Sequence, residues 1–325
     1  MKIVLFGGKN KGSATLGKLL ELHEEIIAVF YFEEDQHEKI WYEKVQDIAA
    51  KMGIPVFKHG TINKDDTTKI LIKLQPDLIL VVGWRYMLCK EQYSIPSKGC
   101  IVIHDSLLPK YRGFAPMNWA IINGEKSTGA TMIYIADEVD AGDIIAQKTV
   151  AIDILDNANT LDARIISLYL ELISENLPLI ASGKAARVPQ DHTQATYTCK
   201  RTPEDGVIDW SKSASEIYNL IRGLTDPYPG AFTYLKTGSR LEKLYVWRAA
   251  LDNENKRYVG CIPGRVTQIL RGRGVRVLTG DGTVVIEDVQ RANQQSKVKA
   301  DEIINSIKIT LGANTSLWPI GGHAH

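Results

Sequence analysis

The sequence predicts an α/β protein: a mostly parallel sheet with helices on both faces, followed by a smaller all-β domain. Three observations carry this. The first half alternates short apolar runs with helix-patterned segments, and such runs mark parallel strands covered on both sides. A polar stretch at 184–206, holding Pro189 and Pro203, interrupts the pattern. Beyond it, closely spaced short strands and tight turns indicate a small barrel or sandwich.

Each element has its own signal. KIVLF (2–6) reads as a buried strand, and GSATLGKLLEL (12–22) sets Leu16, Leu19 and Leu20 at helical spacing. EIIAVFYF (25–32) is β-branched and aromatic, hence a strand. YEKVQDIAAKMG (42–53) is an amphipathic helix closed by Gly53, with Pro55 just beyond and a short strand at 55–57. DDTTKILIKLQPD (65–77) is a helix stopped by Pro76. LILVVG (78–83) and CIVIHD (100–105) are again strands, and 129–137 with 143–152 form an antiparallel pair. Residues 160–183 make a long amphipathic helix ended by Gly183. After the linker come one helix (213–224), the turn cluster DPYPG (226–230) and strands up to about 290.

The 325 residues suffice for two domains. Apolar content of 44% and charged content of 24% are ordinary for a water-soluble fold. A net charge of +1 gives no overall field toward nucleic acid or membrane, although RGRGVR (271–276) is locally basic. The four cysteines, Cys89, Cys100, Cys199 and Cys261, form no CxxC pair, so no zinc or redox motif is signalled and no metal is expected. The opening MKIVLFGG is too short in its apolar part for a signal peptide or a membrane span, and a cytoplasmic enzyme is expected.

Two segments carry chemistry. FGGKNKGS (6–13) lies between a strand and a helix, where phosphate-binding turns sit, but it matches neither dinucleotide nor P-loop spacing and reads as a tight turn. His104 ends a strand at the rim where open α/β sheets gather ligands. The loop after it supplies Ser106, Lys110, Tyr111 and Arg112, and DEVDAGD (137–143) supplies Asp140. A carboxylate beside an imidazole orients it and strengthens it as a base, the minimum needed to take a proton from an attacking amine. From the residues alone the alternative stays open that Asp140 caps its turn and His104 is a core residue.

HDSLLPKYRGFAP (104–116), the spacing LLPKYRG-x-AP-x-NW-x-x-x-NGE (107–125) and EVDAGDI (138–144) resemble the folate-dependent formyltransferases. That family includes methionyl-tRNA formyltransferase and the N-formyltransferases of nucleotide-linked amino sugars. The likeness runs nearly the whole chain, RTPEDGVIDW onward (201–235) resembling the start of the C-terminal domain. Within the family it is greatest to the formyltransferase domain that acts on UDP-4-amino-4-deoxy-arabinose in bacterial polymyxin resistance.

The resemblance implies a Rossmann-like catalytic domain over 1–203 and an OB-like β-barrel domain over 204–325. It implies 10-formyltetrahydrofolate as co-substrate, no metal, and a proton handled by His104 with Asp140. The pterin edge is expected at the loop after the fourth strand, so Trp84, Arg85, Tyr86, Met87 and Leu88 inherit that role, with Asp137 and Asp140 opposite. Trp84 and Met87 also have a plain reading as core.

One departure matters. Family members carry an asparagine two residues before the histidine, and here that position is Val102. Valine donates no hydrogen bond, and losing one oxyanion donor typically costs roughly a hundred- to a thousandfold in rate. Protonated His104 or a backbone N–H in its place, a slow enzyme, and a relative that binds without turnover are the three readings this leaves. Asp105 stands where a small residue is common, either capping the turn or acting electrostatically on His104.

The acceptor is read from charge. The loop FEEDQHEKIWYE (32–43) is acidic where an RNA-binding enzyme needs basic residues, and RGRGVR reads as a hairpin turn with solvated arginines. Ser106, Lys110, Tyr111, Arg112 and Asn118 suit a smaller, phosphate-bearing acceptor, a UDP- or dTDP-linked amino sugar. Transfer RNA is the second choice, and a homodimer is allowed for. The tail histidines His323 and His325 read as a loose terminus.

Overall fold

Four apolar runs become the centre of one sheet. In the computed structural model, which describes residues 1–312 except 37, 61–63, 238–239, 253 and 255, they are β1 (Lys2–Gly7), β2 (Glu25–Tyr31), β4 (Leu78–Val82) and β5 (Cys100–His104). Between them lie α1 (Lys9–Glu21), α2 (Val45–Lys51), β3 (Val56–Lys58), α3 (Lys64–Leu74) and the one-turn α4 (Lys90–Tyr93). Then come β6 (Arg112–Gly113), α5 (Pro116–Ile122), β7 (Ser127–Tyr134), β8 (Ile144–Ala151), α6 (Ala158–Ala181) and β9 (Tyr197–Thr198).

The strand order is β3-β2-β1-β4-β5-β7-β8. The first five pair in parallel, while β7 runs antiparallel to β5 and to β8. The order reverses between β1 and β4, which leaves a crevice at their carboxyl ends. Two glycines let the chain close up there. Gly8 donates its N–H to the Val82 carbonyl at 3.0 Å. Gly83 has φ +62°, and a Cβ on it would stand 2.3 Å from the Gly8 carbonyl oxygen. One face of the sheet buries Val4, Phe6, Phe30, Ile79 and Val81, with Val102 and Trp84 packed on the same cluster. Burying large apolar side chains of this kind contributes about 1.5–3 kcal/mol each.

The chain divides into two units. The first is Met1–Ala120, Lys126–Ile154 and Thr160–Arg201; the second is Ile121–Glu125, Leu155–Asn159 and the chain from Thr202. The second unit opens on α7 (Ala214–Leu224), held by a reciprocal cap between Ser213 and Glu216. Its antiparallel sheet has the order β10 (Ala231–Thr237), β11 (Arg240–Leu251), β14 (Thr283–Arg291), β13 (Gly274–Leu278), β12 (Val266–Leu270). A short β15 (Val298–Lys299) adds to β14 and leads into α8 (Ala300–Ile303). Ile217 and Ile221 of α7 pack with Val246, Val275, Val277 and Ile286.

The basic RGRGVR segment is more neutral in place than in sequence. Arg273 pairs with Glu287 at 3.0 Å, and Arg276 is buried against Asp252 and Gln268. The expected linker is also more structured than its composition suggests: β9 lies parallel to β6, with Arg112 opposite Tyr197 and Gly113 opposite Thr198. His323 and His325 lie outside the described residues.

Candidate active site

β5 delivers His104 to the rim of the sheet, in register with Thr131 of β7. The ring is 8% exposed. Its Nε2 lies 2.9 Å from the Tyr111 carbonyl oxygen, which can only accept, so Nε2 carries hydrogen. Its Nδ1 lies 3.6 Å from Asp140 Oδ2. Asp140 sits in the connection from β7 to β8 with φ +51°, and the same Oδ2 accepts the Gly113 N–H at 2.8 Å. An imidazole and a carboxylate from two separate connections therefore meet, with Nδ1 as the ring atom free to receive a proton.

The loop after His104 is built as a bracket. Ser106 is buried and donates to the Lys110 carbonyl at 2.7 Å. Tyr111 adopts φ +61°, its N–H donating to Thr196 Oγ1 at 2.9 Å. Arg112 is 1% exposed. Its guanidinium donates to Gln190 Oε1 at 2.7 Å and reaches His192 Nδ1 at 3.1 Å and the Tyr197 hydroxyl at 3.4 Å, while its Nε is buried without a partner. Gln190 in turn donates to the carbonyls of Asp140 and Gly142, both at 2.8 Å. Residues 190–197 thus tie the Arg112 loop to the Asp140 loop. Asn118 is buried and Lys110 is exposed.

A cavity of about 510 Å³ opens beside this bracket, lined by Arg112, Asp137, Glu138, Ala141, His192 and Tyr197. Asp137 is exposed and accepts the Tyr93 hydroxyl, which drives that phenol up to about 12.

The loop after β4 gathers aromatic rings. Trp84 contacts Phe6, Phe32, Tyr86 and His59 edge-on, and His59 stacks on Tyr86 with centroids 3.8 Å apart. The Trp84 Nε1 hydrogen is buried without a partner among the described residues. Tyr86 and Met87 are exposed, whereas Leu88 is core. Arg85 bends away toward the acidic loop after β2, pairing with Asp35 at 3.0 Å and Glu38 at 2.6 Å while lying over Phe32.

Val102 lies two residues before His104 on the same strand face, opposite Val81 on one side and Ile133 on the other. Its side chain packs into the apolar cluster and offers no donor to the rim.

Three side chains near Asp105 escape a reading by pattern: Lys11, Asp162 and Tyr169. Asp105 is held by the Lys11 ammonium of α1 and the Tyr169 hydroxyl of α6. Lys11 also pairs with Asp162 of α6 at 3.2 Å, and Asn10 donates to Asp162 at 2.5 Å. Burial alone would raise Asp105, but the Lys11 charge, its hydrogen bond and the Tyr169 hydroxyl hold it below the usual carboxylate range. Burial and the neighbouring Asp105 push the Tyr169 phenol well up. The available signal was on α6: Asp162 and Tyr169 are two turns apart on a face otherwise made of Leu161, Ile165 and Leu172.

This geometry sets an imidazole beside a carboxylate at the carboxyl-end rim of an α/β sheet, and sequence comparison assigns the chain's class. Residues 1–177 match the formyl transferase family, and residues 200–308 match the formyl transferase C-terminal domain. The chain belongs to the formyl transferase family.

Solved structures share the fold. The N-formyltransferase from Helicobacter canadensis, in complex with folinic acid and dTDP-3-aminofucose, is 19% identical with a TM-score of 0.68, covering 90% of this chain and 99% of that one. Methionyl-tRNA formyltransferase from Clostridium thermocellum is 20% identical with a TM-score of 0.54, covering 86% and 100%. HypX from Aquifex aeolicus, in complex with tetrahydrofolic acid, is 21% identical with a TM-score of 0.61, covering 93% and 46%, so the chain spans about half the length of HypX.

Proposed function

We propose that this protein transfers a formyl group from 10-formyltetrahydrofolate to the amine of a nucleotide-linked amino sugar. The observation that carries the reading is the approach of His104 Nδ1 to Asp140 Oδ2, 3.6 Å, with Nε2 already committed to the Tyr111 carbonyl. The donor supplies the formyl carbon, whose bond to the folate nitrogen breaks as the new amide bond forms. His104 receives the amine proton at Nδ1 and passes it to the departing folate nitrogen, and Asp140 stabilises the imidazolium in between. The Gly113 N–H keeps Asp140 oriented toward the ring.

The loop after β4 fits a flat, hydrogen-bonding heteroaromatic group. Its aromatic wall is already assembled, and the Trp84 N–H lacks an acceptor. Residues 83–88 and Asp137 would hold the pterin end. Arg85 would set the shape of that loop through Asp35 and Glu38 rather than by direct contact. The cavity beside Arg112 is of a size usual for small-molecule sites, and its lining sets Arg112 and His192 against Asp137 and Glu138. The acidic loop after β2, with Glu33, Glu34 and Glu38 already paired to Lys44 and Lys9, supports a sugar nucleotide over transfer RNA.

The test is release of tetrahydrofolate on mixing the protein with 10-formyltetrahydrofolate and a panel of UDP- and dTDP-amino sugars. Turnover with methionyl-tRNA alone would refute the sugar reading, and formate release without any amine would make the protein a hydrolase. Val102→Asn restores a donor at the rim. It is expected to raise turnover by as much as about a hundredfold. It is also expected to cost about 1–2 kcal/mol of stability, because the amide enters an apolar cluster. An unchanged rate in a folded variant would show that another group already fills the donor's place.

A further inference from the structure

His104 has one carboxylate, Asp140, in front of it and a second, Asp105, as the next residue in the chain, where the family pattern has a small residue. In front, Asp140 faces Nδ1 at 3.6 Å, and the Tyr111 carbonyl takes the Nε2 hydrogen. The β7 partner opposite, Thr131, is uncharged and is spent on the Ser106 carbonyl at 2.6 Å. Behind, the next residue in the chain is Asp105, bonded to Lys11 of α1 and Tyr169 of α6. Lys11 is shared with Asp162, 3.2 Å away.

The cluster behind the ring therefore sets two carboxylates against one ammonium, all with side chains at most 17% exposed. The Tyr169 hydroxyl, whose one hydrogen goes to Asp105, also lies 3.0 Å from the Ile103 carbonyl, so the strand end that carries His104 is held against α6.

We propose that Asp105 is a positioning residue for His104: with Lys11, Asp162 and Tyr169 it pins the end of β5 and places surplus negative charge behind the imidazole, stabilising the imidazolium formed when the ring takes a proton. The consequence is specific to this chain. With Val102 unable to donate to a developing negative charge, the positive charge of the protonated His104 ring acts at the rim through its field, and Asp105 helps the ring hold that charge. The catalytic meaning rests on the formyl-transfer reading, but the charge relation between Asp105 and His104 does not.

The test therefore uses no substrate. The full chain, with labelled histidine, is titrated by NMR to find the pH at which His104 takes up its proton. Asp105→Asn is expected to move that pH down, because an isosteric neutral group replaces the charge. Asp105→Glu, which restores the charge, is expected to return it. Asp162→Asn, which leaves Asp105 in place and neutralises the surplus, is expected to move it down by a smaller amount. A folded Asp105→Asn protein whose His104 titrates as in the parent overturns the proposal. If that variant does not fold, an unmoved titration in Asp162→Asn overturns it equally. A separate failure of all acceptors to be formylated, with the NMR shifts as expected, would reject the enzyme reading and leave the electrostatic one standing.

Discussion

At the scale of single residues, the rim is governed by where charge is cancelled. Glu38 shows this most clearly. Burial opposes its ionisation, yet the Lys9 ammonium, the Arg85 guanidinium and the Asp35 N–H outweigh burial and bring it down to about 2. A carboxyl that is more acidic folded than unfolded contributes stability that is present above its ordinary value of 4.5 and is lost as pH falls toward 2. Its upper bound is about 3 kcal/mol. Glu38→Gln is accordingly expected to lower stability at pH 7 by as much as about 3 kcal/mol while flattening the pH dependence of unfolding in the acid range. Chemical denaturation at pH 7 and at pH 3 checks both parts. An equal loss at the two values would mean that packing, not charge, is what the variant removes.

At the scale of elements, the site depends on how closely two loops approach. Gly83 must turn with φ +62° directly against Gly8, and it opens the loop that carries Trp84 to Leu88. Gly83→Ala forces a methyl against a backbone oxygen in a conformation that side chains rarely adopt, so a loss of about 2–4 kcal/mol is expected. Reduced folate should also bind at least tenfold more weakly to this variant, since the aromatic wall rides on the same turn. Calorimetric titration with tetrahydrofolate would measure this, and unaltered affinity would separate that loop from folate binding.

The elements themselves were mostly legible from pattern. The strands at 2–6, 78–83 and 100–105 and the helix at 213–224 appear within a residue or two of their expected places, because their apolar periodicity is strong. The helix expected over 65–77 stops at Leu74, ahead of Pro76, while α6 runs on through Pro178 to Ala181. Hidden from pattern were α4, α5, the β6–β9 pair and α8, each too short to show a period of its own.

At the scale of the whole molecule, charge argues for a small acceptor. A net charge of +1 and paired arginines in the 271–276 hairpin leave little field to gather a polyanion. Activity with a nucleotide sugar should therefore fall by less than about threefold between roughly 50 and 200 mM salt. A steep log-linear fall in kcat/KM over that range would instead indicate several phosphate contacts and favour the RNA acceptor. Among the described residues no helix is long and apolar enough to cross a membrane.

The sequence by itself determined the alternation of strands and helices, the rim position of His104 and, through HDSLLPKYRG and EVDAGDI, the family. These are properties of local pattern, and pattern survives without knowledge of contacts. Only the tertiary structure decided that Nδ1 faces Asp140, that residues 190–197 lock Arg112, and that Lys11, Asp162 and Tyr169 meet at Asp105. Those partners lie far apart in the chain, Lys11 and Asp162 by 151 residues. A lone lysine in the first turn of α1 and two polar residues on α6 acquire meaning only once folding removes the water between them, because charges interact strongly only where solvent no longer screens them.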